Sequence, residues 1–413
     1  MIDQKQIEEW LKNGTITNEQ ASKMLTDSVN TKNEEGSNKF ITAISSIGAV
    51  LFGVGAILFV ALNWSSISYL FKVIILLGST FGSYFVGYLF AYKNENYPRV
   101  GHALIFLGAL LFGASVFLIA QIYNLNSSVE STYMLLFTWL IGILPLVYSF
   151  LSKPIASLAS LLFIVFIYLF VSTEMNRVGQ GFEFFGDGYE RFFLDMLIII
   201  VISGIMLFGL GGLHYAKDKL KGIARVYRLF GLQISLLITF LLSMNFVYSI
   251  FDRSTTSIPS SVASNWVIMF GTIALLLSLA NIFLNFAKNK LFVVENGINI
   301  GLLVLVLFTF FFIGPTSSQA FHVIFNIVFV VIIIAILYIG YQNMDITVVN
   351  KGLAYASLFI GVKYFEWFWD TFNPYLFFMV GGLILILGGI ALEKKRRQIR
   401  TKFAISNIVL NNA

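Results

Sequence analysis

The sequence predicts an all-α fold, a polytopic transmembrane helical bundle of about 12 spans with a small N-terminal cytoplasmic helical hairpin. Three observations carry that expectation. Of the 413 residues, 58% are hydrophobic and only 12% are charged, with a mean hydropathy of +0.83. A soluble domain carries about 25% charged residues, so this chain lacks the polar side chains to cover a water-facing surface. The apolar runs are mostly 18 to 24 residues long. That is the length of a helix crossing hydrocarbon, and it differs from the alternating strands of about ten residues that build membrane barrels. Finally, Lys and Arg concentrate in every second interhelical segment, the pattern of a chain that crosses a bilayer repeatedly.

The elements follow in order. Residues 1–39 form a polar head, and the first apolar run begins near Phe40, too late for a cleaved signal peptide, so the amino terminus is expected to be retained. Ile7, Trp10 and Leu11 share one helical face, and Asn13-Gly14 ends that helix. Thr17, with Gln20 three residues later, reads as a capping box opening a second helix through Leu25. Such a hairpin buries too little apolar area to stand alone. Trp10, Ile16, Met24 and Leu25 are therefore expected to meet a partner: the membrane face, a second copy of the chain, or another protein. Asp27 to Lys39 is a polar tether. Residues 40–392 form the transmembrane domain, with spans near 41–62, 70–91, 101–122, 131–150, 154–172, 193–213, 229–250, 264–286, 292–313, 319–341, 346–366 and 373–392. Residues 393–413 form a basic cytoplasmic tail containing Lys394-Lys395-Arg396-Arg397.

With a cytoplasmic amino terminus, 22 of the 27 basic residues fall inside, five of them in the loop from Lys217 to Arg228. Lys72, Arg177, Arg191, Arg253 and Lys363 fall outside. This partition predicts an even number of spans with both termini cytoplasmic. It also accounts for the net charge of +6 as contact with anionic membrane lipids. Nucleic acid is excluded as a partner, because the one exposed segment, residues 1–39, has five basic against seven acidic residues.

Zero cysteines exclude disulfides and thiolate metal sites, and His102, His214 and His322 lack any metal-ligand spacing, so neither metal nor cofactor is expected. Span one (IGAVLFGVGAILFVALNW) and span three (LGALLFGASVFLIAQIYN), sixty residues apart, match at six of eighteen positions, a pattern that either helix composition or duplication of a two-helix unit produces. Gly48, Gly55, Gly78, Gly82, Gly108, Gly204, Gly211, Gly381, Gly382, Gly388 and Gly389 offer small faces for close helix contact in lipid.

Polar groups within apolar spans are the candidates for a substrate or ion path: Asn63, Gln121, Asn245, Asn281, His322 and Asn326. A second cluster, Lys363, Glu366, Trp369 and Asp370, lies at the predicted outer interface, where a Lys–Glu pair three residues apart and tryptophans fit headgroup depth. No Ser-x-x-Lys, phosphate-binding Gly loop or nucleophile elbow is present, so the chain is not expected to be an enzyme.

Gly14-Thr15-Ile16 with Glu19-Gln20-Ala21, and Ile47-Gly48-Ala49 running to Phe59, Ala61, Asn63 and Trp64, resemble a family of uncharacterised bacterial membrane proteins filed as domain of unknown function 2157. Gly361-Val362-Lys363 through Trp369-Asp370, then Gly381-Gly382 and the basic run to Arg397, resemble the carboxy-terminal signature of longer relatives, which usually has Arg in place of Lys363. The resemblance implies a bacterial cytoplasmic (inner) membrane protein and supplies no activity. The architecture favours transport or export of a small or lipid-like molecule. The alternative is a membrane-embedded scaffold, sensor or assembly factor. A polar cavity lined by Asn245, Asn281, Asn326 or His322 is the expected mark of transport.

Overall fold

A computed structural model describes Asn13, Thr17, Gln20 and residues 66–93, 97–125, 129–177, 189–251, 259, 261–285, 290–314, 317–369, 373, 375–383, 386–390 and 394. The hairpin's apolar residues, the span near 41–62, Asn63 and Asp370 lie outside these. The chain divides into two compact units, residues 1–75 and 76–413. In the first, the capping box at Thr17 is formed: the Thr17 amide donates to Gln20 Oε1 (3.0 Å), and the Gln20 amide donates to Thr17 Oγ1 (3.3 Å).

The protein is an all-α, multi-spanning membrane protein. α1 (Tyr69–Tyr88) begins in the first unit and ends within the second in a π turn, Leu89–Lys93. There follow α2 (Pro98–Ile122), α3 (Val129–Phe150), α4 (Lys153–Arg177), α5 (Tyr189–Tyr215) and α6 (Lys221–Leu242). After them come the short α7 (Asn245–Phe251), then α8 (Ser261–Asn285), α9 (Lys290–Phe312), α10 (Ser318–Gln342) and α11 (Ile346–Phe368). Among the described residues nine helices are long and apolar enough to cross a membrane. α11 is not one of the nine, because Lys351, Lys363 and Glu366 dilute its apolar character. Large apolar side chains such as Phe283 (85% exposed) and Ile334 (61%) stand outward, a surface that lipid covers without cost.

Successive long helices run in opposite directions, which gives the second unit two ends. One end, here the basic end, gathers Lys153, Tyr215, Lys221, Arg225, Glu295 and Asp345 around one cavity. The other, the far end, holds Arg191 beside Phe310 and Lys363 beside Ser243. The central mast is α5, whose span is 83% buried against 17% for α1. It fits tightly against α6 because both helices are glycine where they cross. A methyl group on Gly231 would lie 2.5 Å from both Gly204 O and Phe208 N, and one on Gly211 would lie 2.8 Å from Ala224 O. Gly108 is likewise pressed against the Tyr84 ring. By contrast, no described atom comes within 4 Å of a methyl built on Gly78 or Gly82, the clearest small-residue pair in the sequence.

The expected span near 229–250 differs from the observed helix in both directions. α6 begins at Lys221, so three residues counted as loop charge, Lys221, Arg225 and Arg228, lie on its first turns. It stops at Leu242, and the Ser243–Met244 break leads into α7. The backbone groups released by the break find partners on α11: Lys363 Nζ donates to Ser243 O (2.6 Å), and the Asn245 amide donates to Glu366 Oε1 (2.8 Å).

Candidate functional site

α6 presents one continuous face to a cavity of about 540 Å³ shared with α5, α9, α10 and the start of α11. Its lining residues Lys221, Arg225, Arg228, Leu232, Ser235 and Thr239 recur at the three- and four-residue spacing of a single helical stripe. Their burial changes along the way. Lys221 and Arg225 are exposed, Arg228 and Leu232 are half-buried, and Ser235 and Thr239 are buried. From Lys221 to Thr239 the helix rises about 27 Å, close to the thickness of a bilayer's hydrocarbon core. Opposite this stripe stand Ile298 and Leu302 from α9 and Ile332, Ile336 and Ile339 from α10. The cavity thus has a charged mouth and an apolar shaft.

Charge at the mouth is arranged by contacts between helices. Arg225 Nη2 donates to both Asp345 carboxylate oxygens at 2.9 Å. Asp345 in turn caps α11, its Oδ1 accepting from the amides of Thr347 (2.9 Å) and Val348 (3.4 Å). The preceding residue, Met344, has φ 51°, the left-handed turn that ends α10 and delivers Asp345 to this position. Deeper in, Arg228 pairs with Glu295 of α9, and its guanidinium carbon lies 5.2 Å from the Phe208 ring centre and 5.8 Å from that of Tyr215. Lys221 Nζ is 2.7 Å from Asp218, an exposed pair at the surface. Lys153 has no carboxylate partner among the described residues. In all, four cations and two carboxylates line the cavity. Down the shaft, Ser235 Oγ is buried with no hydrogen-bond partner among the described residues, and Thr239 Oγ1 donates to Ser235 O (2.6 Å).

The candidates read from the sequence fall elsewhere. Asn245, His322, Asn326, Lys363 and Glu366 converge at the far end. There Lys363 and Glu366 pair at 2.5 Å, the Tyr248 and His322 rings are 5.3 Å apart, and Asn326 Nδ2 donates to His322 O (2.7 Å). Asn281 joins a buried amide cluster, donating to Asn296 Oδ1 (2.9 Å) and accepting from Asn285 Nδ2 (2.7 Å), which fastens α8 to α9. Gln121 and Trp369 are exposed at their helix ends. None of the eight predicted residues that are described lines the cavity. Its charged residues were visible in the sequence as a three- and four-residue periodicity of Lys and Arg running on into an apolar face. Among the described residues no three His, Asp or Glu side chains gather to hold a metal ion.

A second buried charge pair lies at the far end, where Arg191 Nε donates to Asp195 Oδ1 (2.9 Å) and Arg191 Nη2 donates to Phe310 O. Both side chains are almost fully enclosed, and each offsets the other's charge.

No curated protein and no solved structure matches the chain. Residues 8–156 match the family described as "Predicted membrane protein (DUF2157)", a stretch that reaches Lys153 and stops short of every other residue lining the cavity.

Proposed function

We propose that the protein holds a lipid-like molecule in the cavity alongside α6 and transports or exports it. The observation that carries this reading is the gradient along one helical face, from Lys221 at the exposed mouth to Thr239 in the buried shaft. A small polar solute would leave its hydration shell for walls of Leu and Ile that offer few hydrogen bonds in return. A molecule with a polar head and an apolar body matches both parts.

The finer architecture belongs to the same reading. It comprises about 12 spans, both termini on the cytoplasmic face of a bacterial inner membrane, and an N-terminal hairpin that meets a second copy or another protein. The basic partition of the sequence supports the orientation. The role is that of a carrier without a catalytic step, in keeping with a sequence that carries no nucleophile elbow or phosphate-binding Gly loop.

A membrane-embedded scaffold or assembly factor is the second reading. It is favoured by α1, where Phe81 and Phe85 are each 65% exposed beside the open faces of Gly78 and Gly82.

Translocation of chain-labelled fluorescent lipids in proteoliposomes decides between the two. The wild type is expected to move label between leaflets, and Leu236→Trp, or Ile332→Trp from the opposite wall, to abolish movement without lowering the thermal midpoint. A wild type that moves no lipid, whatever its headgroup, leaves the scaffold reading standing.

A further inference from the structure

We infer that the cavity selects a phosphate-headed anionic amphiphile, its phosphate held at the mouth by Lys153 and Lys221 and its chain lying in the shaft. This rests on the reading that the cavity holds a lipid-like molecule, and it adds the headgroup chemistry. The two arginines are committed, Arg225 to Asp345 and Arg228 to Glu295. These pairs use both lining carboxylates, so none remains to accept the ammonium of a zwitterionic headgroup. The lysines are differently placed. Lys221 lies over the Tyr215 ring at 5.7 Å, and its one carboxylate among the described residues is Asp218, whose side chain is 91% exposed; such exposed pairs are worth little. Lys153 has no carboxylate among the described residues, and its side chain reaches the mouth beside Gly222, where a methyl on that glycine would lie 3.2 Å from Lys153 Cε.

Lys221, Arg225 and Arg228 also occupy the first turns of α6. The helix dipole is positive there. Cations at that position repel the helix end as well as one another, a cost that a bound anion at the mouth offsets. A phosphate monoester suits it better than a carboxylate, because its several oxygens accept from separated ammonium groups at once. The two arginine pairs add no net charge, so the positive surplus of the cavity is that of Lys153 and Lys221, and the shaft beyond Arg228 holds no charged side chain.

The test uses the full-length protein purified in neutral detergent, with retained ligand read by native mass spectrometry. The probes are dioleoyl phosphatidate, dioleoyl phosphatidylcholine, dioleoylglycerol and inorganic phosphate. Phosphatidate is expected to bind at least about tenfold more tightly than either other lipid, and Lys153→Gln/Lys221→Gln to remove that preference at an unchanged thermal midpoint. Lys217→Gln/Lys219→Gln, which removes equal charge outside the cavity, is expected to leave it intact. Equal losses in the two double variants would overturn the inference in favour of bulk charge, and inorganic phosphate that displaces phosphatidate at comparable concentration would overturn the amphiphile. If all three lipids bind alike and Leu236→Trp expels them, the headgroup inference fails while the cavity reading survives. Lipid binding that Leu236→Trp and Ile332→Trp both leave untouched removes the cavity reading itself.

Discussion

At the far end of the bundle, Arg191 and Lys363 find carboxylates on their own helices, four and three residues away, and all four side chains are largely enclosed. At the basic end, Arg225 and Arg228 reach across to other helices, to carboxylates 120 and 67 residues distant in sequence, and Lys153 has no carboxylate among the described residues. Local pairs form as soon as their helix does, so they neutralise charge without waiting for tertiary contact. Long-range pairs exist only in the assembled bundle, and here they hold α6, α9 and α11 around a space. The two ends therefore use similar residues for different purposes: charge paired within single helices at one, and a positively biased opening at the other.

Mutation at matched positions sharpens this contrast. The largest effect is expected from Asp195→Ala, which strands the Arg191 guanidinium in a buried site. Removing one partner of a buried pair costs about 3–5 kcal/mol, and the variant should show a large fall in thermal midpoint or fail to accumulate as a monodisperse protein. Glu366→Gln should cost less, about 1–3 kcal/mol, because the amide oxygen still accepts from the Asn245 amide while Lys363 loses its counter-charge. The smallest change in stability is expected from Glu295→Gln, whose partner Arg228 opens onto the cavity. There the thermal midpoint should move little, and affinity for phosphatidate should rise by roughly fivefold as one negative charge leaves the site. If Glu295→Gln destabilised the protein as strongly as Asp195→Ala does, the two ends would not differ in kind.

The span positions were legible because hydrocarbon thickness and backbone hydrogen bonding leave little choice of helix length. The helices beginning at Tyr69, Pro98, Val129 and Ser318 all lie within three residues of the expected limits. The Thr17 capping box was legible for a similar reason, since both partners sit within one turn. The start of α6 was not read, because Lys221, Arg225 and Arg228 look like loop residues to any scheme that equates charge with solvent. The break at Ser243 was hidden because the groups that satisfy it, Lys363 and Glu366, lie about 120 residues further on. The same holds for the cavity: its cations are periodic in the sequence, but Glu295 and Asp345 become their partners only through tertiary contact. Polar residues inside apolar spans drew attention to Asn281 and His322. In the fold, clustered amides such as Asn281 and Asn285 fasten helices to one another, and the space for a ligand opens where a charged stripe runs into an apolar one.

The glycine crossing of α5 and α6 has a mechanical side. Backbone touching backbone at Gly204 and Gly231 leaves no side-chain cushion between the two helices, so one cannot slide or tilt without carrying the other. The pair forms a fixed rail along one side of the cavity. Any widening that admits or releases a molecule is then taken up on the facing side, by α9 and α10, whose branched aliphatic side chains can change rotamer and slip past one another.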